Sequence, residues 1–153
     1  MINKILFFLI FTFFLLNFSF ANSNKFIVYK SPWIKFIAKN QKNLSGYLIL
    51  KNTSDKAIKL ISVNSNFAEK TEIHKMKIEN NVMKMERIKT GILILPNKEV
   101  LFKPGGLHIM FKNIKNKLNL DDKKKVFFNF EKNGTIEIMM KVKKGYHSKK
   151  HNH

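Results

Sequence analysis

An all-β sandwich or barrel is the fold class that this sequence predicts, and three observations carry it. Past residue 21 no stretch keeps a helical period. Short apolar segments recur instead at roughly eight- to twelve-residue intervals, with turn residues between them. The stretch 135–142 alternates cleanly, Ile136, Ile138, Met140 and Val142 on one face and Thr135, Glu137, Met139 and Lys141 on the other.

The expected strands, in order, are residues 26–29, 33–38, 46–52, 58–64, 71–78, 82–88, 91–95, 100–102, 107–111, 125–130 and 135–142. Turn chemistry sets the cuts. Asn133-Gly134 is the strongest short hairpin signal, and Asn80-Asn81 tolerates the left-handed backbone of a two-residue loop. Asn52-Thr53-Ser54-Asp55 parts two strands, and Pro104-Gly105 suits the centre of a type II turn. Residues 113–125 are polar apart from Ile114, Leu118 and Leu120, as expected of a long connection between sheets.

The N-terminus reads as an export signal. Lys4 precedes the apolar run from Ile5 to Leu16, and Ser19-Phe20-Ala21 offers small residues for cleavage after Ala21. An uncleaved anchor is the alternative, although a membrane span needs about 18–20 apolar residues and this run weakens at Asn17 and Ser19. The organisation expected is thus a signal peptide over 1–21, one β-domain over 22–142 and a disordered Lys/His-rich tail over 143–153. Removing 21 of the 153 residues leaves 132, enough for a hydrophobic core. The expected location is the periplasm, with no stable membrane insertion after cleavage and a monomeric domain.

The formal net charge is +19, from 29 basic and 10 acidic residues. Such a charge suits an acidic partner, an anionic membrane or nucleic acid. Yet the lysines are scattered, Lys, Asn, Ile and Phe are inflated together, and Arg87 is the one arginine. Compositional bias therefore accounts for the charge better, and no nucleic-acid partner is expected. The chain has no cysteine. That excludes disulfides, a lipid-acylated cysteine, a thiolate metal site and a blue-copper centre.

The chemistry concentrates in His-x-Met pairs. His74-Lys75-Met76 is followed by Met83-Lys84-Met85, and His108-Ile109-Met110 stands directly behind Lys103-Pro104-Gly105-Gly106. A spacing of two places both side chains of each pair on one face of a strand. With Asn80-Asn81 as the loop, Glu79 pairs with Val82, Ile78 with Met83 and Met76 with Met85. His74 then lies diagonal to Met85, about 7–8 Å away between backbones. One hairpin face so carries His74, Met76, Met83 and Met85, while His108 and Met110 come from another strand. Imidazole and thioether form a soft, neutral ligand set that suits Cu(I) better than Zn²⁺, Mg²⁺ or Ca²⁺. Plain packing is the competing role for Met83 and Met139, since methionine fills irregular core gaps. No nucleophile–base pair, His-Glu-x-x-His motif or carboxylate pair is present, so no enzyme is expected.

These residues carry a resemblance. The segments Glu72-Ile73-His74-Lys75-Met76, Val82-Met83-Lys84-Met85 and Lys103 to Met110 resemble the periplasmic copper chaperones of the PCu(A)C family. Gly46 to Thr53 resembles that family's strand ending in an Asn-Thr turn, and Phe128 to Gly134 its closing hairpin. The likeness runs from Trp33 to about Val142. The family motif is a His, ten residues, a Met, about twenty-one residues, then His-x-Met. Here ten residues separate His74 from Met85, and 22 separate Met85 from His108, one more than the pattern. The turn Pro96-Asn97-Lys98 can absorb the extra residue.

The resemblance implies a cupredoxin-like Greek-key β-sandwich in which His74, Met85, His108 and Met110 bind Cu(I); Met76 and Met83, on the same hairpin face, are second-tier candidates. It also implies delivery of copper to the dinuclear copper centre of cytochrome c oxidase, the partner being an oxidase subunit or another copper chaperone. The alternatives are a copper-sequestering or resistance protein with the same site, and a basic exported binding module whose His/Met pairs are incidental. His147, His151 and His153 offer imidazoles without thioethers, a weak set better suited to Cu(II) or Zn²⁺.

Overall fold

The computed structural model describes residues 26–145; the expected signal peptide and the tail histidines His147, His151 and His153 lie outside them. Ten strands form one continuous hydrogen-bonded sheet: β1 (Ile27–Phe36), β2 (Leu44–Asn52), β3 (Ile58–Ser65), β4 (Ala68–Glu79), β5 (Val82–Arg87), β6 (Ile92–Ile94), β7 (Glu99–Phe102), β8 (Leu107–Ile114), β9 (Lys123–Phe130) and β10 (Gly134–Lys144). Their order is β5-β4-β8-β7-β2-β1-β10-β9-β3-β6, and β8 also pairs β2 directly. The consecutive strands β3 and β4 stand near opposite ends of that order yet pack together. The sheet therefore folds over on itself as a β-sandwich.

The core lies between the layers. Ile34, Leu48, Leu50, Leu60, Ile109, Phe111, Phe128, Ile138 and Met140 are all buried. The alternation expected of β10 holds: Ile138, Met140 and Val142 enter the core, with Ile136 packed against it. Met139 and Met83 are exposed, so core packing is the wrong role for both. Each falls at the outward phase of its strand.

Two expected strands, 26–29 and 33–38, are one. Pro32 has no N–H to donate, and the chain absorbs it in a bulge at Ser31 (φ 49°) that shifts the register between Lys30 and Trp33. β10 likewise runs two residues past the expected end, to Lys144, because β1 pairs with it in parallel through Lys35↔Lys143 and Phe36↔Lys144.

The turns follow their residues. Asn80 and Asn81 both have positive φ (53° and 59°), and the hairpin closes with Glu79↔Val82, Ile78↔Met83 and Met76↔Met85, as the sequence predicts. At the β9–β10 hairpin the loop is Glu131-Lys132-Asn133, and Gly134 takes the left-handed position (φ 75°). A three-residue loop thus replaces the two-residue loop that Asn-Gly favours. The β8–β9 connection crosses the sandwich, anchored by the buried Leu118.

The turn that positions the metal-binding candidates is Lys103–Gly106. Gly106 N donates to Lys103 O at 3.1 Å, and Gly105 has φ 74°, the type II geometry expected of Pro104-Gly105. A Cβ on Gly105 would meet nothing within 4 Å, so only backbone strain opposes a side chain there. Gly105→Ala should therefore destabilise the domain by about 1–2 kcal/mol, measured by urea denaturation; an unchanged midpoint would show that the turn relaxes without cost.

Candidate metal centre

The site is built on the outward face of three neighbouring strands, β5, β4 and β8. Ile73 and Ile109 send their side chains into the core, which turns the residues on either side of them outward. In the β4–β8 ladder His74 lies directly opposite His108, and Glu72 opposite Met110. In the β4–β5 ladder Met76 lies opposite Met85 and His74 opposite Arg87, so His74 is diagonal to Met85, as the hairpin register requires. The imidazole centroids of His74 and His108 are 5.8 Å apart.

Both imidazoles are oriented by their far nitrogens. Gly106 O can only accept, so His108 Nδ1 donates to it at 3.0 Å. That leaves the lone pair of His108 Nε2 facing Met85 Sδ at 3.3 Å. The same Gly106 carbonyl accepts from Met76 N at 3.2 Å, which ties the turn to β4. On the other side His74 Nε2 donates to Glu72 Oε2 at 2.8 Å. His74 Nδ1 is buried and has no hydrogen-bond partner. A buried polar nitrogen without a partner is costly, and a metal ion would satisfy it.

Glu72 was not singled out from the sequence, although it sits two residues before His74 and hence on its face. It is buried, and Arg87 Nη1 and Lys112 Nζ each approach it at 3.2 Å. The His74 hydrogen bond, helped by the Lys112 and Arg87 charges, holds its carboxyl below the usual range against the opposing effect of burial. Glu72 therefore stays an ionised acceptor. Burial lowers the pKa of His108, His74 adds to this, and the Gly106 hydrogen bond works against it. His108 so remains neutral, as a ligand must.

The structure brings together His74, Met85 and His108. Met110 follows His108 by two residues on the same face, half-buried, with Ser45 of β2 as its next neighbour. Met76 is half-buried opposite Met85, and Met83 is exposed one step towards the hairpin tip. Among the described residues no three His, Cys, Asp or Glu side chains cluster as metal ligands. The methionines beside the two histidines offer sulfur as the further ligands of a three- or four-coordinate ion.

The comparisons with known proteins agree with this architecture. Residues 27–142 match the model of the LpqE-like lipoprotein family. The uncharacterized protein RP573 of Rickettsia prowazekii (strain Madrid E) is 32% identical over 114 residues, covering 72% of this chain and 63% of that protein. The chain thus spans less than two thirds of that relative's length. Among solved structures, the copper-bound PCuAC domain from PmoF2 superposes with a TM-score of 0.65 at 22% identity, covering 78% of this chain and 94% of that one. The apo PCuAC domain from PmoF1 gives 0.66 at 22% identity, covering 78% and 95%. The apo form of DR1885 from Deinococcus radiodurans gives 0.63 at 16% identity, covering 80% and 82%. At these identities the likeness is one of fold. The chain belongs to the LpqE-like family, and its fold is that of the PCuAC domain.

Proposed function

We propose that this protein is a periplasmic Cu(I) carrier that binds the ion through His74, Met85, His108 and Met110 and delivers it to a copper-accepting partner. The client we propose is the dinuclear copper centre of cytochrome c oxidase. One observation carries the reading: the two histidines that lie opposite each other in the β4–β8 ladder each have one nitrogen tied off by hydrogen bonding to oxygen and the other left for a metal. His74 Nδ1 is buried without a partner, and His108 Nε2 faces Met85 sulfur. His108 Nε2 and Met85 Sδ, 3.3 Å apart, are close enough that one ion could take both as ligands. The copper-bound PmoF2 domain and the Cu(I) form of DR1885 share the fold, which supports copper as the cargo.

The ligand chemistry suits transfer. Four neutral ligands leave the site with the single charge of Cu(I), and thioethers favour the reduced ion. Met85 is 48% exposed, so an incoming ligand can replace its sulfur from solvent while the buried histidines keep hold. Exposure at the exchanging ligand favours a carrier over a store. Deleting the gene should accordingly lower oxidase activity while copper tolerance stays intact; the reverse outcome would assign the protein to sequestration.

Purified full-length protein should bind one Cu(I) in the β-domain, with sulfur and nitrogen in its X-ray absorption shell. A shell of oxygen and nitrogen alone would sink the assignment. Met85→Leu should weaken binding strongly, and Met83→Leu very little. Equal losses would show that Met83 is a ligand. Glu72→Gln should lower affinity roughly ten-fold, the usual cost of losing a ligand's hydrogen-bonded support, because an amide holds the His74 N–H less firmly than a carboxylate.

The pH dependence has a definite sign. A proton competes with copper for His108 Nε2, whose pKa lies below that of free imidazole. Affinity should hold down to about pH 6.5 and weaken below it, followed by competition with a Cu(I) chelator. In the metal-free domain the same lowering means that the unfolded chain takes up protons first. Stability due to His108 is then complete above about pH 6.5 and lost as pH falls towards the folded value. Glu72 acts in the same direction further down, below about pH 4.3.

A further inference from the structure

The outward face that carries the metal-binding candidates does not stop at β8. Its residues continue by direct register pairs, Met110↔Ser45 into β2, Ser45↔Lys35 and Tyr47↔Trp33 into β1, then Lys35↔Lys143 and Trp33↔Lys141 into β10. Lys141↔Lys123 and Met139↔Lys125 carry it into β9. Partners in register share a face, so one surface runs from His108 and Met110 to a ladder of five lysines. The ladder begins two strand spacings from β8, about 10 Å. Lys125 is balanced by Glu137 at 3.0 Å and Lys141 by Asp121 at 2.7 Å. Lys35, Lys123 and Lys143 have no carboxylate partner among the described residues.

Between site and ladder stand Trp33 and Tyr47, ring centroids 4.8 Å apart. Tyr47 points away from the core and is still only 6% exposed. On the other flank of the site the hairpin presents Ile78 and Met83 as an exposed apolar pair. The metal-binding candidates are thus framed by apolar and aromatic side chains, with uncompensated cations beyond them on one side. An apolar centre with a charged rim is the anatomy of a protein–protein interface, and the rim charge sets encounter rate and orientation.

We infer that this face docks a copper-accepting protein whose own site lies in an apolar patch bordered by carboxylates, and that Lys35, Lys123 and Lys143 steer it. The inference rests on the carrier reading: the surface is continuous with the ligands, and transfer requires an acceptor to approach them closely. A protein partner is favoured over a lipid surface because the ladder lies beside the ligands.

The test uses the full chain and two synthetic peptides with the same three methionines, one carrying four glutamates and the other four glutamines. Trp33, the single tryptophan, reports docking by fluorescence on the metal-free protein, and stopped flow follows Cu(I) withdrawal from the loaded one. At low salt the acidic peptide should withdraw copper about ten-fold faster than the neutral one, an advantage that fades with added salt. Lys123→Glu with Lys143→Glu should abolish the advantage. Lys56→Glu with Lys132→Glu, the same charge change in loops outside the ladder, should largely keep it. Equal effects of the two pairs would overturn the inference, since net charge alone would then steer. It would equally be overturned if the Lys123/Lys143 pair left peptide rates unchanged but abolished binding to phosphatidylglycerol vesicles, which would make the ladder a membrane contact. Should the protein bind no Cu(I), the carrier reading fails, and Trp33-reported docking still decides whether the acidic peptide binds this face.

Discussion

His74 of β4 faces His108 of β8 because their neighbours Ile73 and Ile109 are pinned in the core. The two isoleucines are buried, and the pairing Ile73↔Ile109 sits beside His74↔His108 in the same ladder. A slip of one residue in either strand would send an imidazole into the hydrocarbon interior and an isoleucine to the outward face. The hydrophobic core thus enforces the register that puts two imidazoles side by side. The type II turn before β8 adds a second restraint, since Gly106 O holds both His108 Nδ1 and Met76 N.

The polar groups around the histidines form a balanced set. Glu72 accepts from His74, and its charge is met by Arg87 and Lys112, which reach it from β5 and β8. A buried carboxylate without such partners would be expensive or would protonate. Paired in this way it stays ionised and fixes which nitrogen of His74 carries the proton and which is left free. His108 is fixed by a backbone carbonyl instead. The nitrogens left without a hydrogen-bonded oxygen are different atoms, Nδ1 of His74 and Nε2 of His108.

The outer half of the site is built differently. β5 is an edge strand, and all six of its residues are exposed. Its far face carries the ion pairs Lys77–Glu86 and Lys84–Glu79 at 3.2 and 2.7 Å. Exposed pairs of this kind add little stability. Charged side chains do protect an open edge from pairing with another chain. Met85 therefore stands on an accessible edge strand while the two histidines are buried, a division between releasing and holding that suits the carrier proposed above.

The sequence by itself determined the all-β class, the β4–β5 hairpin and its register, the type II turn and the grouping of His74, Met76, Met83 and Met85 on one face. All of these depend on interactions between residues close in the chain: two-residue alternation, left-handed asparagines and a Pro-Gly pair. Pairs of ligands within one hairpin are legible for the same reason. Only the tertiary structure decided that His108 lies opposite His74, that Glu72 with Arg87 and Lys112 orients the site, and that β1 runs unbroken past Pro32. It also decided that Met83 and Met139 are exposed and that the lysines of β1, β9 and β10 share a face with the site. Each of these depends on which strands become neighbours across the sandwich, a choice made by burying the core as a whole.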